Sequence, residues 1–515
     1  MANEDWLTID NVGNNQADLN QEVQVEYDYE NGMNDLGSPS KRGCSTRRMF
    51  LLGLLCLTVV IGASIGAWVT VREPSSTSTG GASSHEKNKL ENESLGSNRV
   101  PAPTPAISYG GRPTVSPEPT GSNAFKIADI IDGVARNGGQ EFENAGSYQS
   151  LAKKWVLTQD FPVQDGSSMT TEQQATQLYS LACIFYATFS VKSQWTDFNY
   201  GPDIALPGWY SRRGWLGTAQ DVCSNWHGIT CNDQGRILKI ELDTNGLTGA
   251  LPSETALLHE TLNTIDLYNN ILHNVGDVGN NFLGELTNLE YLYLGTTYFQ
   301  YDGVPPALGK LTKLKELDFS ESLYNGALDG ATFSNLSNLR YLVMDGNSYD
   351  SSIPSELARL PNLEYLYAGY SSLEGGLDFM TLMPKVVELW LDDNPKMKGP
   401  IPTGVGNMKK LASFSAANCG LTGTIPTEIG AMTGMIQMWL NDNDLTGGIP
   451  SEMSNIPIMA ILNVQNNELK GEMPLPLCKN RRPFGSLEEL GADCDSDITC
   501  GQNCCTCCGN QCSAR

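Results

Sequence analysis

Histidine is nearly absent. Four occur in 515 residues (His85, His227, His259, His273), and none stands in a triad or in metal-binding spacing. There is no glycine-rich phosphate loop, no kinase lysine and no HRD or DFG element. The sequence therefore offers no catalytic machinery, and no cofactor or metal is expected. Positive charge is scarce as well: 33 Lys and Arg stand against 58 Asp and Glu, a formal net charge of −25. Phosphate contacts need clustered cations, so a nucleic-acid binder is excluded. A basic or an uncharged partner suits the chain better.

Long apolar runs are also lacking, with one exception. Residues 49–71 (MFLLGLLCLTVVIGASIGAWVTV) are 23 in number and carry no formal charge. At about 1.5 Å per residue they span a ~30 Å hydrocarbon core. Lys41, Arg42, Arg47 and Arg48 precede the run, and only Arg72, followed by Glu73, comes after. The positive-inside rule keeps the N-terminus cytoplasmic and exports the rest, which predicts a signal anchor in the plasma membrane. A cleaved signal peptide competes through the small residues of GASIGA, but 48 residues precede the run, against a usual total of ~15–30. Gly62 and Gly66 have the spacing of a helix-dimer face, although Gly and Ala are common in such helices.

Around this anchor the chain divides by composition. Residues 1–48 form an acidic tail, with no Lys or Arg in the first 40, expected to be disordered; its Glu26-Tyr27-Asp28-Tyr29-Glu30 reads as an adaptor site or as plain solvated acid. Residues 72–121 are a Ser/Thr/Pro-rich stalk with a glycosylation sequon at Asn92. Residues 122–235 begin with helical periodicity (Ile127, Ile130, Ile131, Val134; later Leu178, Leu181, Ala182, Phe185), with Thr170 and Gln173 as a capping box and Cys183 inside an apolar stripe.

From residue 236 to 474 one pattern recurs: Φ-x-Φ-x-x-N-x-Φ-x-G-x-Φ-P, where Φ is apolar. Copies start at Ile240, Ile265, Leu292, Leu317, Leu342, Leu366, Leu389, Phe414, Met438 and Leu462, with spacings of 25, 27, 25, 25, 24, 23, 25, 24 and 24 residues. Each Φ-x-Φ predicts a short strand whose apolar residues point inward. Each Asn predicts a side-chain amide bonded to the backbone of neighbouring coils. Cys419 takes the Asn place in one copy and Thr297 in another; the second copy carries an insert at 273–281, where the coil is expected to bulge.

This pattern resembles the plant-type leucine-rich repeat. The resemblance implies an α/β solenoid: a right-handed superhelix with a parallel β-sheet on its concave face, a helical N-terminal cap and a Cys-rich C-terminal cap. The Gly-x-Φ-Pro step implies a second sheet beside the first. Cys223-Ser-Asn-Trp-His-Gly-Ile-Thr-Cys231 resembles the N-terminal cap of such proteins, which implies that Cys223 and Cys231 are bridged. Residues 122–515 as a whole resemble single-pass leucine-rich-repeat proteins of diatom-type algae that lack a kinase domain.

In residues 475–515, Cys478, Cys494, Cys500, Cys504, Cys505, Cys507, Cys508 and Cys512 crowd together. Eight cysteines allow 105 connectivities. Zinc spacing is present too, but an exported segment favours disulfides. A second sequon at Asn335 falls between strands.

The x positions of the strands would line the concave face. They supply Tyr291, Tyr293, Asp318, Tyr341, Tyr365, Tyr367, Trp390 and Trp439, and next to these stand Asp345, Tyr370, Asp392 and Asp442. Aromatics offer rigid contact area, and carboxylates suit a Lys- or Arg-bearing peptide or the hydroxyls of a sugar. The plainer account is that Tyr packs well on strands. The expected function is that of a receptor-like protein binding a peptide, protein or glycan, with a co-receptor or a second copy as partner. Adhesion or cell-wall organisation, and inhibition of a secreted enzyme, are the alternatives.

Overall fold

Leucine at every second position of a β-branched and aromatic segment folds as a strand with one buried face. The computed structural model describes residues 122–161, 169–189, 208–273, 281–383, 385–481, 485–494, 498–500, 504–508 and 511–512. Within them the Φ-x-Φ pairs become rungs of one 14-stranded sheet. Its strands are β1 (Ile229–Cys231), β2 (Ile237–Glu241), β3 (Thr264–Asp266), β4 (Tyr291–Tyr293) and β5 (Glu316–Asp318). They continue with β6 (Tyr341–Val343), β7 (Tyr365–Tyr367), β8 (Glu388–Trp390), β9 (Ser413–Ser415) and β10 (Gln437–Trp439). The last are β11 (Ile461–Asn463), β12 (Glu489–Ala492), β13 (Cys507–Cys508) and β14 (Gln511–Cys512). From β2 to β13 neighbours pair in parallel, whereas the end pairs β1–β2 and β13–β14 are antiparallel. Register is strict: Tyr341, Leu342 and Val343 face Tyr365, Leu366 and Tyr367. The central Leu292, Leu317, Leu342, Leu366 and Leu389 are fully buried. Burying such a side chain contributes about 1.5–3 kcal/mol each.

The repeat asparagines do what their position predicts. Asn394 donates from Nδ2 to the carbonyl oxygens of Leu391 (2.7 Å) and Ala368 (2.8 Å), and its Oδ1 accepts the N–H groups of Ser371 (3.1 Å) and Leu373 (2.9 Å). One buried amide thus ties its own coil to the preceding one. Asn270, Asn347, Asn443 and Asn467 repeat the arrangement. Thr297 substitutes a hydroxyl, and Cys419 a thiol whose Sγ lies 3.0 Å from the oxygen of Leu391. Just before this ladder the chain turns through a left-handed residue in each coil: Thr244, Asn269, Thr296, Glu321, Gly346, Tyr370, Asp393, Asn418, Asp442 and Asn466.

After the ladder, the residues leading into Gly-x-Φ-Pro form short second-sheet strands such as Thr422–Thr424 and Asp444–Gly447. Its proline then precedes a helical turn, as Pro426 does for Thr427–Ala431 and Pro450 for Ser451–Asn455. Proline suits that place because its φ is fixed and it has no N–H to leave unpaired.

At the N-terminal end α1 (Ser122–Gly133), α2 (Tyr148–Val156) and α3 (Thr171–Thr188) close the core. Thr170 and Gln173 form the capping box that starts α3. From α3, Phe185 packs on Trp209, and Trp215 and Trp226 continue the stack of rings. Gly228, with φ of +75°, lies where a Cβ would stand 2.1 Å from the oxygen of Glu241. No other residue fits that approach. The Cys223–Cys231 disulfide closes the same segment.

The C-terminal boundary differs from the expectation. The parallel ladder does not stop at residue 474 but runs on through β12 and β13. Leu487 and Leu490, both fully buried, supply the inward positions there, while Gly491 and Ala492 disguise the motif. Asp493 accepts the N–H groups of Asn466 and Asn467 in place of a further coil. No helix among the described residues is long and apolar enough to cross a membrane. The acidic tail, the 49–71 run, the stalk and Asn92 lie outside the described residues.

Candidate functional site on the parallel sheet

Because side chains alternate along a strand, each Φ-x-Φ rung leaves two outward positions, and the register stacks them into columns. The first column runs Tyr291, Glu316, Tyr341, Tyr365, Glu388, Ser413, Gln437. The second runs Tyr293, Asp318, Val343, Tyr367, Trp390, Ser415, Trp439. Tyr341 and Tyr365 stack at 4.1 Å with planes 5° apart. Tyr367 meets Trp390 edge to face at 5.2 Å. Trp390 and Trp439, two strands apart, close to 6.4 Å. On the N-terminal flank Lys315 lies over the ring of Tyr291 and Arg340 over that of Tyr341, and they pair with Glu290 and Glu364.

The carboxylates gather on the other flank. Asp345 Oδ1 accepts the Gly369 N–H at 2.7 Å, and Asp392 Oδ1 accepts from Ala417 N at 3.0 Å and from the Ser415 hydroxyl. Burial pushes both carboxyls above the usual aspartate range, and the nearby Asp318 adds to the rise at Asp345. Tyr370 is 55% exposed, and its hydroxyl is pushed up to about 12, first by its hydrogen bond to Asp393. Asp442 is exposed and accepts from Asn466 at 2.7 Å.

The structure thus brings Tyr291, Tyr293, Tyr341, Tyr365, Trp390 and Trp439 together as a half-buried strip with Asp318, Asp345 and Asp392 along one side. Tyr367 departs from the expectation that the strand aromatics offer contact area on the concave face. It is buried, and its hydroxyl donates to Glu388 at 2.7 Å. Glu316, Glu388 and Ser413 were not singled out from the sequence, although each follows an aromatic by 21 or 23 residues and bonds to it.

Of the cysteines, Cys478 pairs with Cys504 and Cys500 with Cys505, and Cys494 is also disulfide-bonded. The sulfurs of Cys494, Cys500 and Cys505 lie within 4.8 Å of one another, but as disulfide sulfurs rather than thiolates, which is not a metal's donor set. Asn335 is exposed.

The stacked asparagines, the parallel rungs and the 23–27-residue period decide the repeat type. The chain is a leucine-rich-repeat protein. No family model matches it. Similar curated proteins from Arabidopsis thaliana include Receptor-like protein kinase 7, 28% identical over 152 residues, or 29% of this chain and 15% of that protein. Another is Receptor like protein 23, 30% identical over 133 residues, 26% of this chain and 15% of the relative. The matches therefore span about one-seventh of these relatives' length. Among solved structures, the Arabidopsis receptor kinase HAESA in complex with the peptide hormone IDA and the co-receptor SERK1 is 21% identical, with a TM-score of 0.45. That match covers 64% of this chain and 58% of the chain in that structure. A plant ice-binding protein is 20% identical with the same TM-score, over 56% of this chain and 91% of its own.

Proposed function

We propose that this leucine-rich-repeat protein is a non-catalytic, receptor-like surface protein whose concave strip binds an extracellular ligand. In this reading residues 49–71 anchor it with the N-terminus in the cytoplasm, and residues 72–121 link that anchor to the solenoid. The observation that carries the reading is the aromatic strip from Tyr291 to Trp439 with its flanking Asp318, Asp345 and Asp392. Rigid rings provide contact area with little conformational entropy to lose, and a row of carboxylates selects cations. The favoured ligand is a peptide bearing Lys or Arg. With no kinase in the chain, a signal would pass through a co-receptor or a second copy. The resemblance to receptor-like proteins supports the same class of role.

The test is a combined array of peptides graded in Lys and Arg content and of oligosaccharides, probed with detergent-solubilised full-length chain. Retention on basic peptides that is lost in Trp390→Ala with Asp392→Asn is the expected result. Retention on polysaccharides alone would turn the reading toward adhesion or wall organisation. Binding that survives the double substitution would remove the strip from the account.

A further inference from the structure

We infer that Glu316, Glu388 and Ser413 are positioning residues of the concave strip, each fixing the angle of an aromatic ring in the preceding coil. The purpose of that fixing rests on the ligand-binding reading above; the geometry does not. Tyr293, Tyr367 and Trp390 all stand in the second column. Each sends its polar atom along the same diagonal, to the first-column residue of the next coil. The Tyr293 hydroxyl donates to Glu316 at 2.5 Å, the Tyr367 hydroxyl to Glu388 at 2.7 Å, and Trp390 Nε1–H to the Ser413 hydroxyl at 2.9 Å.

A tyrosine that only covers strand surface can turn its hydroxyl to water, where a partner is always present. Here the hydroxyl is turned along the sheet instead. Glu388 makes the point most sharply. It is buried, no Lys or Arg pairs with it among the described residues, and the one hydrogen bond to its side chain there comes from Tyr367. A buried carboxyl without a cation is destabilising, and an apolar residue at 388 would remove that cost. What it does supply is an acceptor at the height of the Tyr367 ring. Trp439 serves as the internal contrast: the next coil offers Ile461 at that diagonal, which has no side-chain acceptor. Among the described residues, the ring contact of Trp439 in this row is with Trp390. Rings set before a ligand arrives need no ordering on binding, which favours affinity.

The test uses full-length chain labelled with 5-fluorotryptophan, in which Trp390→Phe assigns the Trp390 fluorine line. Ser413→Ala is expected to shift and broaden that line, and Ser413→Thr, which keeps the hydroxyl, to restore it. An octapeptide of alternating Gly and Arg serves as the binding probe, with alternating Gly and Glu as its control. Affinity should fall about tenfold in Ser413→Ala and Glu388→Ala and return in Ser413→Thr and Glu388→Gln, with the thermal midpoint little changed in the Ser413 variants. Should Glu388→Ala fail to fold, the Ser413 pair carries the experiment. An unmoved Trp390 line in Ser413→Ala overturns the inference. So does a moved line with unchanged affinity when Trp390→Ala abolishes binding. If the wild-type chain ignores the octapeptide, the ligand reading fails instead, and the fluorine line alone decides whether the rings are held.

Discussion

The indole rings of Trp390 and Trp439 meet edge to face, 6.4 Å between centroids and 72° between planes, although a whole strand separates their backbones. That strand, β9, carries Ser413 and Ser415, which are small enough to be roofed by the two rings, and both serines are buried. Ser415→Leu should force the rings apart. Overpacking of this kind costs about 1–3 kcal/mol, read as a lower urea midpoint with loss of the near-ultraviolet circular dichroism of the coupled indoles. An unchanged midpoint would mean that the roof has slack.

Cys419 occupies a ladder position, and burial pushes its thiol up to about 12, so it is inert as a nucleophile. Cys419→Asn should hold or raise the thermal midpoint, because an amide makes the bonds that Asn394 and Asn443 make on either side. Cys419→Leu should lower it, since the Leu391 oxygen keeps only its bond from Asn394 and the added carbons overpack a fully buried ladder position, at a cost of about 1–3 kcal/mol. Differential scanning fluorimetry of the two variants separates them.

Glu254 lies buried where Ser253–Leu258 meets α3. Tyr148 donates to its Oε2 at 3.0 Å, and its Oε1 has no hydrogen-bond partner among the described residues. Tyr148, Gln149, Glu141, Tyr179 and Cys183 face it, and none is a cation. Burial raises its pKa. An acid raised in the fold binds its proton more tightly there than in the unfolded chain. Stability should therefore fall as pH rises from the unfolded value near 4.5 through the raised one, and recover as pH drops again. Glu254→Gln should flatten that part of the profile and gain stability at about pH 8 over wild type. Thermal midpoints taken across the range check this; parallel profiles for the two chains would refute it.

Asp345 and Asp392 are raised in the same sense by burial. Their charge is lost at a higher pH than that of an exposed aspartate. Retention of a basic peptide should consequently weaken, as pH falls, before ordinary carboxylates titrate. Titration calorimetry at several pH values measures it. Asp345→Asn with Asp392→Asn should leave a weaker affinity that no longer follows pH in that window.

The coil itself was legible because its grammar is local. A strand needs Φ-x-Φ, the inter-coil bond needs an amide, and the turn into the helical segment needs Pro, so the period could be counted directly. The ladder substitutes Thr297 and Cys419 were legible for the same reason. The end of the repeats was not, because Gly491 and Ala492 fill a rung without displaying the motif. Nor were the acceptors of the strip: Glu316, Glu388 and Ser413 read as ordinary strand-surface polar residues until register sets them beside rings 21 or 23 residues earlier. Diagonal pairing depends on a register that composition does not contain. The burial of Tyr367 escaped for that reason too, since it depends on what Glu388 and Trp390 place beside it.

The ten left-handed corners fall at equivalent places in successive coils, just ahead of the ladder. Each coil consequently offers the next an interchangeable joint. Deleting one complete period between two corners, such as those at Tyr370 and Asp393, would let the flanking halves meet with every amide rung still matched, and only the aromatic strip would be shorter by one step. Removing half a period would leave two unlike edges facing each other. Length can therefore vary by whole copies in proteins built this way, and with it the number of aromatic steps that the sheet presents.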